Sequence, residues 1–229
     1  MDLNADKRAK LQYQLGLDAL HKGLIPRAFE KLYLSDKIRP NQPKTLDAIA
    51  YAWRLRGDNK KAKIFYQRAI EHGAGSASFN NYGSLLIELG KFEQAIENFN
   101  LALEDPRYRN QDLVFVNMGD AFLGLNNLEQ AVMSYRKAGI LSKNWTYPKM
   151  KEAAAYTQFN RPTYAQAIYE TLLRKEPANQ DALRELIILL KGKGQKQLLR
   201  LYIQKFIEKT SDPLHQAWAK DELIILDKG

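Results

Sequence analysis

The sequence contains no cysteine. That removes disulfides, thiolate nucleophiles and cysteine-ligated metals at once, and leaves the redox compartment unread. Histidine is scarce, with only His21, His72 and His215. They lie far apart and none falls in a spacing such as H-E-x-x-H, so no metal site and no cofactor are expected. No apolar run approaches the roughly 18 to 20 residues that cross a bilayer. The start, MDLNADKRAKLQYQLGL, lacks the charged, apolar and small-residue succession of a secretory signal, so the expectation is a cytosolic protein or one whose export segment has been removed. Gly90-Lys91 has no upstream glycine and Gly192-Lys193-Gly194 follows no strand signal, which leaves no phosphate loop. Glu93 and Glu97 share one solvated helix face without a cleft and make a poor acid-base pair. Catalysis is not expected.

What is present is a repeat. Its clearest copy, Ser76 to Arg109, places apolar residues at Phe79, Tyr82, Leu86 and Leu89, then at Phe92, Ala95, Ile96, Phe99, Ala102 and Leu103. This is the spacing of two successive amphipathic helices. Gly90 between them suits the left-handed residue that ends a helix, and Pro106 cannot continue the second. Gly83 and Ala95 put small residues where the two helices cross. The unit is a helical hairpin about 34 residues long, and its Leu-Gly, aromatic, Ala and Pro positions resemble the tetratricopeptide pattern, with Tyr82 in place of the Leu.

Further copies are read at 9–42, 43–75, 112–145 and 146–179, with a degenerate one at 180–212. The alanines that begin the packing seams, Ala28, Ala62, Ala95 and Ala131, are separated by 34, 33 and 36 positions. Pro26 and Pro162 suit the first turn of a second helix, where a missing N–H costs nothing. In the degenerate copy Ile187, Leu199 and Phe206 stand where the others mostly have Gly or Ala. A last amphipathic segment, 214–226, is expected to cap the stack, with Trp218 as its main anchor. The fold expected is all-α: a single tetratricopeptide superhelix, a right-handed α-solenoid by family resemblance, with about six helix pairs and a C-terminal capping helix over residues 1–229.

Thirty-five basic residues against 26 acidic give a net charge of +9. Two runs are dense: Arg54, Arg56, Lys60, Lys61, Lys63 and Arg68, then Lys191, Lys193, Lys196, Arg200, Lys205 and Lys209. They suit a polyanion or anionic headgroups, or simply form solvated faces. Nucleic acid is disfavoured, because the aromatics go to the core and leave no stacking platform.

In tetratricopeptide proteins the first helix of each unit lines a concave groove, and the resemblance assigns that groove residue by residue. It implies Lys10, Tyr13 and Leu17, then Lys44, Asp47, Tyr51 and Arg54, then Asn80, Asn81, Ser84 and Ile87, then Val116, Asn117, Asp120 and Leu123. Tyr13, Tyr51, Ile87 and Leu123 would supply apolar contact. Asn80, Asn81 and Asn117 would hydrogen-bond a peptide backbone, or instead bond locally between helices. The basic carboxylate clamp of chaperone-binding relatives is not reproduced.

A narrower resemblance lies in FNNYGSLL at Phe79 to Leu86, DPRY at Asp105 to Tyr108, VFVNMG at Val114 to Gly119 and QLGLDAL at Gln14 to Leu20. Together these are similar to the type IV pilus biogenesis and stability lipoproteins of the PilF/PilW family. The resemblance implies an outer-membrane lipoprotein on the periplasmic face that assists localisation and assembly of the pilus secretin. Membrane contact would come through a lipid anchor, although this sequence carries no lipid-bearing cysteine. The alternatives are a generic tetratricopeptide adaptor or co-chaperone with another partner, or a basic-surface binder of membrane or other polyanion.

Overall fold

The computed structural model describes residues 3–228, which form thirteen α-helices and no strand among the described residues. The fold is all-α, as the periodicity requires. The chain divides into two compact units, Met1–Asn127 and Leu128–Gly229. The boundary falls between the two helices read as the copy at 112–145.

The first unit holds α1 (Leu3–His21), α2 (Ile25–Ile38), α3 (Pro43–Leu55), α4 (Asn59–Glu71), α5 (Ser76–Glu88), α6 (Phe92–Leu103) and α7 (Gln111–Gly124). Each helix packs on the next, and α1, α3, α5 and α7 also touch in succession. The odd-numbered helices therefore share one face. Leu32, Leu46, Ile49, Tyr66, Leu85, Leu86 and Phe99 fill the interior with almost no exposure, each large side chain contributing about 1.5–3 kcal/mol. At the seam, a Cβ added to Gly83 would meet the Phe99 ring at 2.5 Å. One added to Gly16 would meet Leu32 at 2.6 Å. Glycine is thus demanded by the neighbour across the helix pair, not by backbone conformation.

The second unit holds α8 (Leu128–Leu141), α9 (Tyr147–Gln158), α10 (Pro162–Lys175), α11 (Gln180–Lys191), α12 (Lys196–Lys209) and α13 (Pro213–Lys228), again packed in sequence. Tyr169, Leu172, Leu183, Leu186, Leu199, Ile203 and Phe206 form its interior. The seam residue, alanine in the earlier copies and in Ala165, becomes Leu199, and it too is fully buried.

One residue with positive φ recurs at each turn within a helix pair: Gly23, Gly57, Gly90, Asn126, Asn160 and Gly194, separated by 34, 33, 36, 34 and 34 positions. After each, the next N–H reaches back five residues, as from Leu24 to Ala19 O at 2.8 Å and from Asn127 to Phe122 O at 2.9 Å. That bond is the mark of a Schellman turn, and it satisfies a carbonyl that the helix end would otherwise leave open. Asparagine tolerates this conformation better than other side-chain-bearing residues, which is why it alternates with glycine here.

Two details differ from the sequence reading. Helix α1 begins at Leu3, ahead of Ala9, because no residue in 3–8 interrupts a helix. In α13 the deepest residues are Ala219 and Leu226, whereas Trp218 is half-buried, edge-on to Phe206 at 5.8 Å and under the Arg184 guanidinium at 4.7 Å. Its indole is too large to enter the seam that Ala219 fills.

Candidate functional site

Helices α1, α3, α5 and α7 carry all the expected groove positions, and several polar side chains among them are tied to one another across helices. Asn81 of α5 donates its amide to Asp47 of α3, at 3.1 Å to Oδ2. Two turns along the same pair of helices, Arg54 binds Glu88 through Nη2 at 2.6 Å and Nε at 3.0 Å. Asp47 and Asn81, like Arg54 and Glu88, stand 34 positions apart, one repeat length. Between α5 and α7, Asn117 donates to Asn80 Oδ1 at 3.0 Å and to Ser84 Oγ at 3.2 Å. Ser84 in turn donates to the Asn80 carbonyl at 3.0 Å. A ladder of neutral and charged hydrogen bonds thus fixes these side chains before any ligand arrives.

Two expected groove residues are not at the surface. Asn80 is only 4% exposed and Val116 only 1%. Both are enclosed by protein, so neither can meet a partner directly. Asn80 serves as acceptor for Asn117, the local bonding that competes with a backbone-reading role.

The remaining residues vary in exposure. Tyr51 is 39% exposed, Lys10 and Lys44 are exposed, and Tyr13, Leu17, Ile87, Asp120 and Leu123 are half-buried. Tyr13 and Leu17 rest on the core formed by α1 to α4, and Ile87 rests on that beneath α5. Lys10, Tyr13 and Lys44 line one cleft of about 440 Å³. A second cleft of about 990 Å³ opens at the start of α3 and α5, lined by Lys44, Ser78, Arg107, Tyr108 and Arg109 among others.

Electrostatically the centre of this face is Asp47. Burial pushes its carboxyl above the usual carboxylate range, and hydrogen bonds from Ser78 and Asn81 offset this only in part. Among the described residues no cation makes an ion pair with it. Three tyrosines feel its charge: Tyr13, Tyr66 and Tyr108, each raised first by its own burial and further by Asp47. Tyr66, on α4, is fully buried, and its hydroxyl meets no donor or acceptor with hydrogen-bond geometry. The nearby Arg54 guanidinium only partly offsets this upward shift. Arg54 itself is opposed by burial but held charged by Glu88.

Sequence reasoning left out Ser78, Glu88, Tyr66 and Tyr108. Glu88 had a usable signal, its distance of one repeat from Arg54. Tyr66 had none, since its position in the repeat is that of a core aromatic.

Several residues of the two basic runs have partners within the protein. In the first, Lys61 Nζ sits 4.1 Å from the Trp53 ring and the Arg56 guanidinium 5.4 Å. Arg68 donates to Asn41 Oδ1 at 2.6 Å. In the second, Lys191 pairs with Glu222 at 2.9 Å, Lys193 donates to Gln166 at 2.8 Å, and Arg200 pairs with Asp227. Of these contacts only the ion pairs of Lys191 and Arg200 offset charge; those to Trp53, Asn41 and Gln166 leave it in place.

Comparison with known proteins gives this architecture relatives. The tetratricopeptide repeat pattern matches residues 76–104 and 114–138. The type IV pilus assembly protein PilF of Pseudomonas aeruginosa is 28% identical over 144 residues, which is 62% of this chain and 57% of that protein. An uncharacterised protein of Haemophilus influenzae is 31% identical over 121 residues, covering 51% of this chain and 65% of its own length. The chain therefore spans less than two thirds of either. Among solved structures, P. aeruginosa PilF superposes with a TM-score of 0.75 at 22% identity, over 96% of this chain and 99% of that one. PilW, described as a widely conserved type IV pilus biogenesis factor, superposes with a TM-score of 0.76 at 16% identity, over 91% and 96%. At such identities the superpositions speak for the fold. None of the helices is long and apolar enough to cross a membrane, among the described residues.

Proposed function

We propose that this chain, a PilF/PilW-like tetratricopeptide-repeat protein, is a non-enzymatic scaffold for type IV pilus biogenesis that receives a segment of the outer-membrane pilus secretin on the face of α1, α3, α5 and α7. The observation that carries the reading is the hydrogen-bonded ladder from Asp47 to Asn117, beside an exposed Tyr51 and half-buried Tyr13, Leu17, Ile87 and Leu123. A face whose polar side chains are already fixed loses little entropy on binding, and an exposed aromatic beside aliphatic groups supplies the anchor. The pilus assignment rests on the PilF similarity, and a place at the periplasmic side of the outer membrane is part of the same proposal.

The test is direct titration of the purified chain with the detergent-solubilised secretin of the same organism by biolayer interferometry. The parent should bind, and Tyr51→Ala, which leaves every described inter-helix hydrogen bond in place, should weaken binding about tenfold or more. Equal binding by parent and variant would move the contact to another face. No binding by either would remove the secretin as partner.

A further inference from the structure

The centre of the proposed face holds an arrangement that discriminates by charge. Asp47 is a half-buried carboxylate that accepts a hydrogen bond from the neutral Asn81 amide. Its own helix carries two cations, and neither pairs with it among the described residues. Arg54, two turns along α3, is bound to Glu88. Lys44, one turn before it, is exposed and forms no ion pair with it among the described residues. On its own helix, exposed Tyr51 lies one turn further along α3, while the charge of Asp47 adds to the burial that raises Tyr13, Tyr66 and Tyr108. The Tyr66 hydroxyl is buried without a hydrogen-bond partner.

A buried carboxylate without a cation is costly, and structures normally pair it. Tyrosine rings attract a cation with their negative faces. An acidic or carboxylate-terminated segment would instead meet like charge in a desolvated place, which costs several kcal/mol at interfaces.

We propose that the partner segment is anchored here by a basic side chain, Lys or Arg, whose charged head is received by Asp47 beside Tyr51. The inference deepens the scaffold reading and rests on it. It states what the face selects: a cation flanked by apolar residues, with acidic tails rejected. Because the whole chain carries +9, the basic segment is drawn only locally, so the selectivity belongs to Asp47 and not to the overall field.

The experiment pans a random twelve-residue peptide display library on the full chain, then measures the enriched peptides by fluorescence anisotropy against the parent, Asp47→Asn and Tyr51→Ala. Asparagine keeps the shape of the side chain and its bond from Asn81, so folding is preserved and checked by circular dichroism. The expected result is enrichment of Lys or Arg at one position. Affinity should fall about tenfold or more both with Asp47→Asn and when that residue is replaced by norleucine. Enriched peptides without a basic residue, or undiminished by Asp47→Asn, overturn the proposal, and if Tyr51→Ala still weakens them the scaffold face survives. Peptides indifferent to both variants, or no enrichment at all, sink the face together with its charge preference.

Discussion

Asn117 of α7 donates its amide to Asn80 Oδ1 of α5 at 3.0 Å, and the acceptor is enclosed almost entirely by protein. A pair that reads in sequence as two hands extended to a ligand is therefore one hand holding the other. The ladder that includes it ties α5 to α7, and the proposed recognition falls to the tyrosines, the aliphatic residues and the charge of Asp47.

Replacing Asn117 by Ala strips Asn80 of its donor where water cannot reach it. The loss should be about 1–3 kcal/mol, the cost of an unsatisfied buried polar group. Urea unfolding followed by circular dichroism measures it. A variant as stable as the parent would mean that the bond carries no load.

The seam at Gly83 predicts a steric penalty. An alanine Cβ there would lie 2.5 Å from Cε1 of Phe99, so Gly83→Ala should cost about 1–3 kcal/mol despite alanine's better helix propensity. Phe99→Leu in the same chain should return part of the loss by removing the ring edge. Failure of the second change to help would place the strain elsewhere.

Asp47 should make stability depend on pH in a stated direction. Its carboxyl titrates above its unfolded value, with burial as the main cause, so in the window between the two the folded state binds more proton than the unfolded one. Stability then falls as pH rises through that window, and the full penalty is present above the folded value. Asp47→Asn should raise the urea midpoint at neutral pH. The difference from the parent should shrink as pH falls toward about 4. A variant less stable than the parent at neutral pH would show the carboxylate to be compensated.

In the second unit, Glu152 is 7% exposed and is met by Arg136 Nε at 2.8 Å. Arg136 Nη2 also donates to the Tyr156 hydroxyl at 3.3 Å. Arg136→Met should cost about 1–3 kcal/mol by leaving a charge poorly paired. The double variant Arg136→Met with Glu152→Met should recover much of it, since an apolar pair can replace a buried ionic one. Thermal unfolding of the four proteins of the cycle settles the coupling.

The helices and their small-residue seams were legible because helical period and residue size are local properties of the chain. Ala28, Ala62, Ala95 and Ala131 could be aligned by counting, and all four are fully buried. Polar pairing was not legible, because Asp47 with Asn81 and Asn80 with Asn117 belong to different helices and only packing decides which amide faces inward. Asn126 and Asn160 escaped notice as turn residues for a related reason. Asparagine suits caps and exposed faces equally, and only the backbone angle, φ 57° and 55°, reveals the role. Their distance from Gly90 was the available clue.

The six Schellman turns have a consequence for how such a chain can change length. Each left-handed residue is closed by hydrogen bonds inside its own turn, as in Lys91 to Leu86 O at 2.8 Å. One residue added within a helix between two turns would swing the side chains beyond it by about 100° and carry the seam away from its partner. Adding a whole period would preserve every seam and every turn at once. The molecule thus grows or shrinks in quanta of one helix pair, and the spacings of 33 to 36 positions mark how little slack each quantum has.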